Sequence, residues 1–173
     1  DNAQDYAIVQ LDRPVVGDHG PAPVELEAEP VEEGQPVTCI GFPSGIPAKI
    51  DSGGVVTQPL AADLDFFRAT TDTFGGNSGS GIFDEAGRVV GILVRGATDY
   101  VFDRGCFRVN ELPDEGGDPY GEEINYAFRA IDALCEEGFE SARLCDDEPV
   151  GEGDYCDVCE GDVPAATEGG TKY

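Results

Sequence analysis

Apolar residues recur in short clusters, cut apart by glycine, proline and acidic residues. Residues 5–12 read as a strand, and residues 13–35 as a connection rich in Pro, Gly and Glu. Pro36 to Phe42 predicts a second strand, stopped by Pro43-Ser44-Gly45. Ala48 to Thr57 predicts a strand pair broken at Gly53-Gly54, and Leu64 to Thr70 alternates apolar with polar positions. Residues 80–84 and 88–95 predict a hairpin around Glu85-Ala86-Gly87. Residues 97–122 read as a long polar insertion carrying Cys106, and Ile124 to Phe128 as a last strand. Arg129 to Glu137 predicts a helix with Ile131, Leu134 and Cys135 on one face. Many short strands set off by turn signals argue for an all-β, closed antiparallel barrel followed by one helix.

The length of 173 residues suits one domain with a real core, and frequent glycine and proline suit turn-rich β structure. The formal charge is −26, and of ten basic residues only Lys49 and Lys172 are lysines. Such a chain repels nucleic acid and anionic membrane surfaces, so neither is expected as a partner. The acidic, lysine-poor composition fits a salt-tolerant source. No apolar run is long enough to cross a membrane, and no signal peptide stands at residue 1, which suits a mature, processed or truncated chain.

Six cysteines, Cys39, Cys106, Cys135, Cys145, Cys156 and Cys159, suggest disulfides without fixing their pairing. Cys156-Asp157-Val158-Cys159 is a C-x-x-C, read as a local staple rather than a metal site, because zinc asks for four ligands. No metal and no cofactor are expected. Residues 138–173 read as an acidic, glycine-rich tail tied by cysteines.

The chemistry concentrates in Thr73-Phe74-Gly75-Gly76-Asn77-Ser78-Gly79-Ser80-Gly81, followed by apolar Ile82-Phe83 and Val89 to Val94. Small residues around Ser78 let the backbone turn sharply and present its hydroxyl outward. The motif resembles the nucleophile segment of trypsin-like serine proteases, and more closely the bacterial glutamyl-endopeptidase-like branch. Ile40-Gly41-Phe42-Pro43-Ser44-Gly45 and Gly91-Ile92-Leu93-Val94-Arg95-Gly96 strengthen the resemblance, which covers about residues 5–137. It implies the second, six-stranded antiparallel barrel of the two-barrel fold with its closing helix. Residues 1–35 would then hold the end of the first barrel and the inter-barrel connection, and residues 36–137 the second barrel. The first barrel is expected to lie largely outside this chain.

The resemblance also implies roles. Ser78 is the nucleophile, the N–H groups of Gly76 and Ser78 form the oxyanion hole, and Asp5 orients a histidine. That histidine normally precedes the aspartate. The chain's one histidine, His19, follows it in a polar turn, so the base is expected from outside the chain, on a partner chain carrying the first barrel. The order Asp5, His19, Ser78 is also the subtilisin order, but no alternation of strands and helices supports a parallel sheet, and the α/β-hydrolase elbow needs a different motif and order. Asp72, Thr73, Leu93, Val94 and Gly96 are implied to line the substrate pocket, with Asp72 at its base favouring Arg or Lys. Leu93 stands where the glutamyl endopeptidases place a histidine, which disfavours Glu. Asn77 stands where digestive trypsins carry an aspartate that pairs with a new N-terminus on activation, and an amide cannot form that ion pair. The expected product is the serine-bearing half of a secreted or periplasmic bacterial endopeptidase acting on proteins or peptides. The rival reading is a catalytically dead, protease-like binding module.

Overall fold

Alternation along strand β1 (Pro36–Gly41) sends Val37, Cys39 and Gly41 inward, and the rest of the architecture is built by the same rule. The computed structural model describes residues 4–17, 19–60, 62–111, 121–141 and 143–145. After β1 come β2 (Lys49–Gln58), β3 (Phe66–Ala69), β4 (Gly81–Phe83), β5 (Val89–Arg95), β6 (Tyr100–Asp103), β7 (Cys106–Val109) and β8 (Glu122–Tyr126). Helix α1 (Ala127–Glu136) follows β8 directly. Six strands close a barrel in the order β1-β2-β3-β8-β5-β4, with β1 pairing antiparallel to both β2 and β4. The all-β barrel with one closing helix is therefore as expected from the sequence. Strands β6 and β7 form a separate two-stranded sheet.

The barrel interior is filled by Val37, Cys39, Val56, Phe67, Ala69, Ile82, Val90, Leu93, Ile124, Tyr126 and Phe128. Tyr126 is the pivot of this core. Its ring packs on Phe67 (5.0 Å between centroids) and on Phe128 (5.6 Å), and its hydroxyl donates to Pro59 O at 2.6 Å. The same hydroxyl accepts from Val31 N at 3.3 Å, so the connection before β1 is anchored to the end of β8. Burial pushes the Tyr126 phenol up to about 12.

Several local expectations change. The strand expected over residues 5–12 does not form: the segment has no ladder partner among the described residues, and Val9 is 77 % exposed. A β-prone sequence becomes a strand only where a neighbour takes its N–H and C=O groups. The pair expected over Ala48 to Thr57 is one continuous strand, β2. Gly54 does not break it; a Cβ there would lie 2.5 Å from Thr71 Cγ2, so the glycine admits a close neighbour. The insertion expected over 97–122 contains the β6–β7 hairpin, turned by Arg104 (φ 49) and Gly105 (φ 88). The helix begins at Ala127 rather than Arg129, and its buried residues are Ala127, Phe128 and Ala130.

Cys135 and Cys145 form a disulfide that ties the end of α1 to the chain beyond it. Cys39 is buried and free, and Cys106 is exposed and free. The Cys156–Cys159 pair and most of the expected tail lie outside the described residues.

Candidate active site

The loop between β3 and β4 carries Ser78, and it is held from three sides. On the β2 side, Thr70 N donates to Val55 O (2.9 Å) and Asp72 N to Asp51 Oδ2 (2.7 Å). On the β1 side, Ser44 N donates to Gly75 O at 2.8 Å. On the β5 side, Gly79 N donates to Leu93 O (2.7 Å) and Leu93 N to Ser80 O (2.9 Å). Beyond β5, Asp99 Oδ2 accepts from Gly75 N at 2.7 Å, and Phe74 stacks on Tyr100 at 5.6 Å.

Within the loop, Gly76 (φ 91) and Gly79 (φ 88) occupy left-handed conformations that favour glycine, so the backbone turns on both sides of Ser78. Ser78 is exposed, and its hydroxyl donates to Val94 O at 3.1 Å. Val94 falls where the β5–β8 register shifts between Leu93 and Arg95, a bulge beside the serine. Among the described residues, neither the Gly76 N–H nor the Ser78 N–H has an acceptor. Two unused donors therefore flank an exposed hydroxyl.

The other expected site residues are placed unevenly. Asp5 is exposed and makes no hydrogen bond among the described residues. Its neighbour Gln4 donates to Asp65 O (3.2 Å) and Asp65 Oδ1 (3.1 Å), and accepts from Asn125 Nδ2 (3.3 Å), which moors the segment to β8 and the start of β3. His19 is exposed on the connection, with no hydrogen-bond or ion-pair partner among the described residues. Asp72 is exposed, while Thr73 is buried. Leu93 packs in the core, and both its backbone groups are engaged by the serine loop, so it supports the loop from behind.

Sequence reading passed over Glu122, which stands at the edge of the insertion without any motif of its own. It is half-buried beside Gly96, where a Cβ would overlap its carboxylate, and it accepts from the Thr73 hydroxyl and from the Ala97 backbone. Burial, with the charges of Asp99 and Asp72 adding to it, pushes the Glu122 carboxyl up to about 7 against the pull of those hydrogen bonds. Thr73, Gly96 and Glu122 thus meet on one side of the loop, with Asp72 and Asp99 within electrostatic reach. The signal that could have found Glu122 is the side-chain-free Gly96 opposite a strand opening on paired acids, Glu122-Glu123.

The sequence matches the trypsin-like peptidase domain family over residues 1–92. No curated protein matches it. Among solved structures, the Rv3671c protease of M. tuberculosis in its inactive form is similar at 18% identity and TM-score 0.46, covering 69% of this chain and 57% of that one. The active form is similar at 20% identity and TM-score 0.44, over 76% and 52%. A serine endoprotease from Yersinia pestis is similar at 16% identity and TM-score 0.44, over 67% and 34%. This chain thus spans little more than half the length of the Rv3671c chains and about a third of the Yersinia chain.

Proposed function

The chain belongs to the trypsin-like peptidase domain family, and from that premise we propose that it is the serine-bearing part of a secreted or periplasmic bacterial serine endopeptidase. The observation that carries this reading is the exposed Ser78 hydroxyl flanked by two N–H groups without acceptors. In the proposed reaction Ser78 Oγ attacks a peptide carbonyl while a histidine takes its proton. The Gly76 and Ser78 N–H groups bind the oxyanion, and the imidazolium returns the proton to the leaving amine. Water then cleaves the acyl-enzyme by the same route. No cofactor enters this chemistry.

Asp5 is assigned to orient the histidine, which comes from outside this chain, on a first barrel carried by a partner chain or by an upstream segment. The exposed apolar side chains Ile8, Val9, Leu11, Val15 and Val16 support such a covering neighbour, since a contiguous apolar run at the surface marks a contact site. The substrate side chain is assigned to the region of Asp72, Thr73, Val94 and Gly96, with Leu93 behind it. Its acidic lining supports a preference for Arg or Lys. The disulfide supports an oxidising compartment, and no described helix is long and apolar enough to cross a membrane.

A second reading is a protease-like module that binds peptides without cutting them. It is favoured by one observation: among the described residues, the Ser78 hydroxyl is engaged by the Val94 carbonyl and no imidazole reaches it. A fluorophosphonate probe applied to native, full-length material separates the two. The expected outcome is an adduct mapped to Ser78, abolished in Ser78→Ala, on a species whose intact mass exceeds the 18.2 kDa of residues 1–173. Peptide binding with no adduct at Ser78 favours the binding module.

A further inference from the structure

Asn77 lies between two exposed residues of the turn, Gly76 and Ser78, and is itself only 4 % exposed. Its side chain therefore points under the loop while its neighbours face outward. Both ends of the amide are used there. Nδ2 donates to Cys39 Sγ at 3.5 Å, and Oδ1 accepts from Ser80 Oγ at 3.0 Å. The backbone repeats the hold, with Asn77 N donating to Phe74 O (3.1 Å) and Ser80 N to Asn77 O (3.0 Å). The floor of this arrangement is β1. Gly41 on β1 has no side chain, and a Cβ there would overlap both Ser80 Oγ and Asn77 Oδ1. The amide and the hydroxyl thus occupy the space left by Gly41, two residues along from Cys39.

The chemistry of the pocket is neutral throughout. Burial, with Asp51 adding to it, pushes the Cys39 thiol up to about 11, so it stays an S–H at neutral pH and offers its sulfur as an acceptor. A charged group at position 77 would be buried against a thiol, a hydroxyl and a glycine, with no counter-ion in contact among the described residues. An uncharged amide suits this site.

We infer that Asn77, braced by Cys39 and Ser80 in the space above Gly41, is a positioning residue that holds the Gly76 and Ser78 N–H groups in place without any charged partner. This rests on the reading of Ser78 as nucleophile and extends it: the donor turn is braced by neutral groups of the loop and of β1. Asn77 touches no substrate; it acts through the turn it shapes.

The test is a variant series in the full-length protein. Asn77→Ala and Asn77→Leu remove the amide, the second keeping the volume filled; Ser80→Ala and Cys39→Val each remove one brace, and Cys39→Ser restores an acceptor. For Asn77→Leu, kcat should fall about tenfold to a hundredfold, the range for a small misplacement of catalytic groups, with KM changed less than about twofold. Ser80→Ala and Cys39→Val should fall less, and Cys39→Ser should recover most of the loss. Amide hydrogen exchange over residues 74–80 should quicken in Asn77→Leu while the barrel strands keep their protection. Unchanged kcat together with unchanged exchange in this segment overturns the inference, as does a loss that follows global unfolding alone. Should the unaltered protein fail to label at Ser78, the nucleophile reading falls, and the exchange comparison still decides whether the brace holds the turn.

Discussion

Glu122 carries the most unusual carboxyl among the described residues, and its proton has a consequence for stability. In the unfolded chain it titrates near its ordinary 4.5, and in the fold near 7. Between those values the native state holds more proton than the unfolded state, so this group's contribution to stability is fully present below about 4.5 and is lost as pH rises through about 7. Glu122→Gln keeps an acceptor for Thr73 and Ala97 but has no proton to lose. Its advantage over the parent in urea unfolding should therefore grow from pH 4.5 to about 7 and then level. A constant difference across that window would show that burial does not strain the carboxylate. The same residue bears on specificity under the proposed pocket. Glu122 adjoins Thr73 and Gly96 of that pocket, and a cation facing a half-buried carboxylate is less screened than one facing an exposed carboxylate, so cleavage after Arg or Lys should suffer more from Glu122→Gln than from Asp72→Asn. The serine turn was legible because its glycines must be glycines, and Gly76 and Gly79 do take left-handed φ. Glu122, Asp99 and Cys39 were not, because their importance comes from neighbours brought close by the barrel.

At the scale of elements, tight strand contacts replace conventional side-chain packing at several glycines. Gly91 on β5 is one of these, set against core side chains: a Cβ there would overlap Ile124 Cγ2 and lie 2.9 Å from both Asn125 O and Phe67 Cε1. Gly91→Ala should destabilise the barrel by about 1–3 kcal/mol through overpacking, read as a lower midpoint in urea with an unchanged slope. A neutral result would mean that Ile124 and Phe67 can both give way. Contacts of this kind also explain which strands could be read. The run Val89 to Arg95 and its partner Gly81 to Phe83 are local neighbours with a turn between them, so sequence suffices. Residues 5–12 carry an equally β-like pattern, but strand status depends on a distant partner that no local pattern encodes. The break inferred at Gly53-Gly54 failed for a related reason, since glycine marks close approach as well as a turn. The hairpin of β6 and β7 was hidden by the polar residues around it.

At the scale of the molecule, barrel closure leaves β1 to β5 and β8 with neighbours on both sides, whereas β6 and β7 pair only with each other. That hairpin carries Phe102 and Phe107 in edge contact at 5.3 Å, both exposed, along with exposed Tyr100, Val101 and Val109. Two open ladder edges with β-prone, apolar residues form a template for joining like to like. At neutral pH a formal charge of −26 makes copies of the chain repel one another. Acidification removes this protection before it removes the template. As pH approaches the sequence pI of about 4.1, light scattering from a concentrated solution should rise while the barrel remains folded. Replacing Phe102 and Phe107 with lysine should suppress that rise with little loss of thermal stability, because neither side chain belongs to the core. Scattering that persists unchanged in the lysine variant would trace the association to another surface. Suppression would mean that the protein's colloidal behaviour in acid follows from one small sheet that the barrel does not absorb.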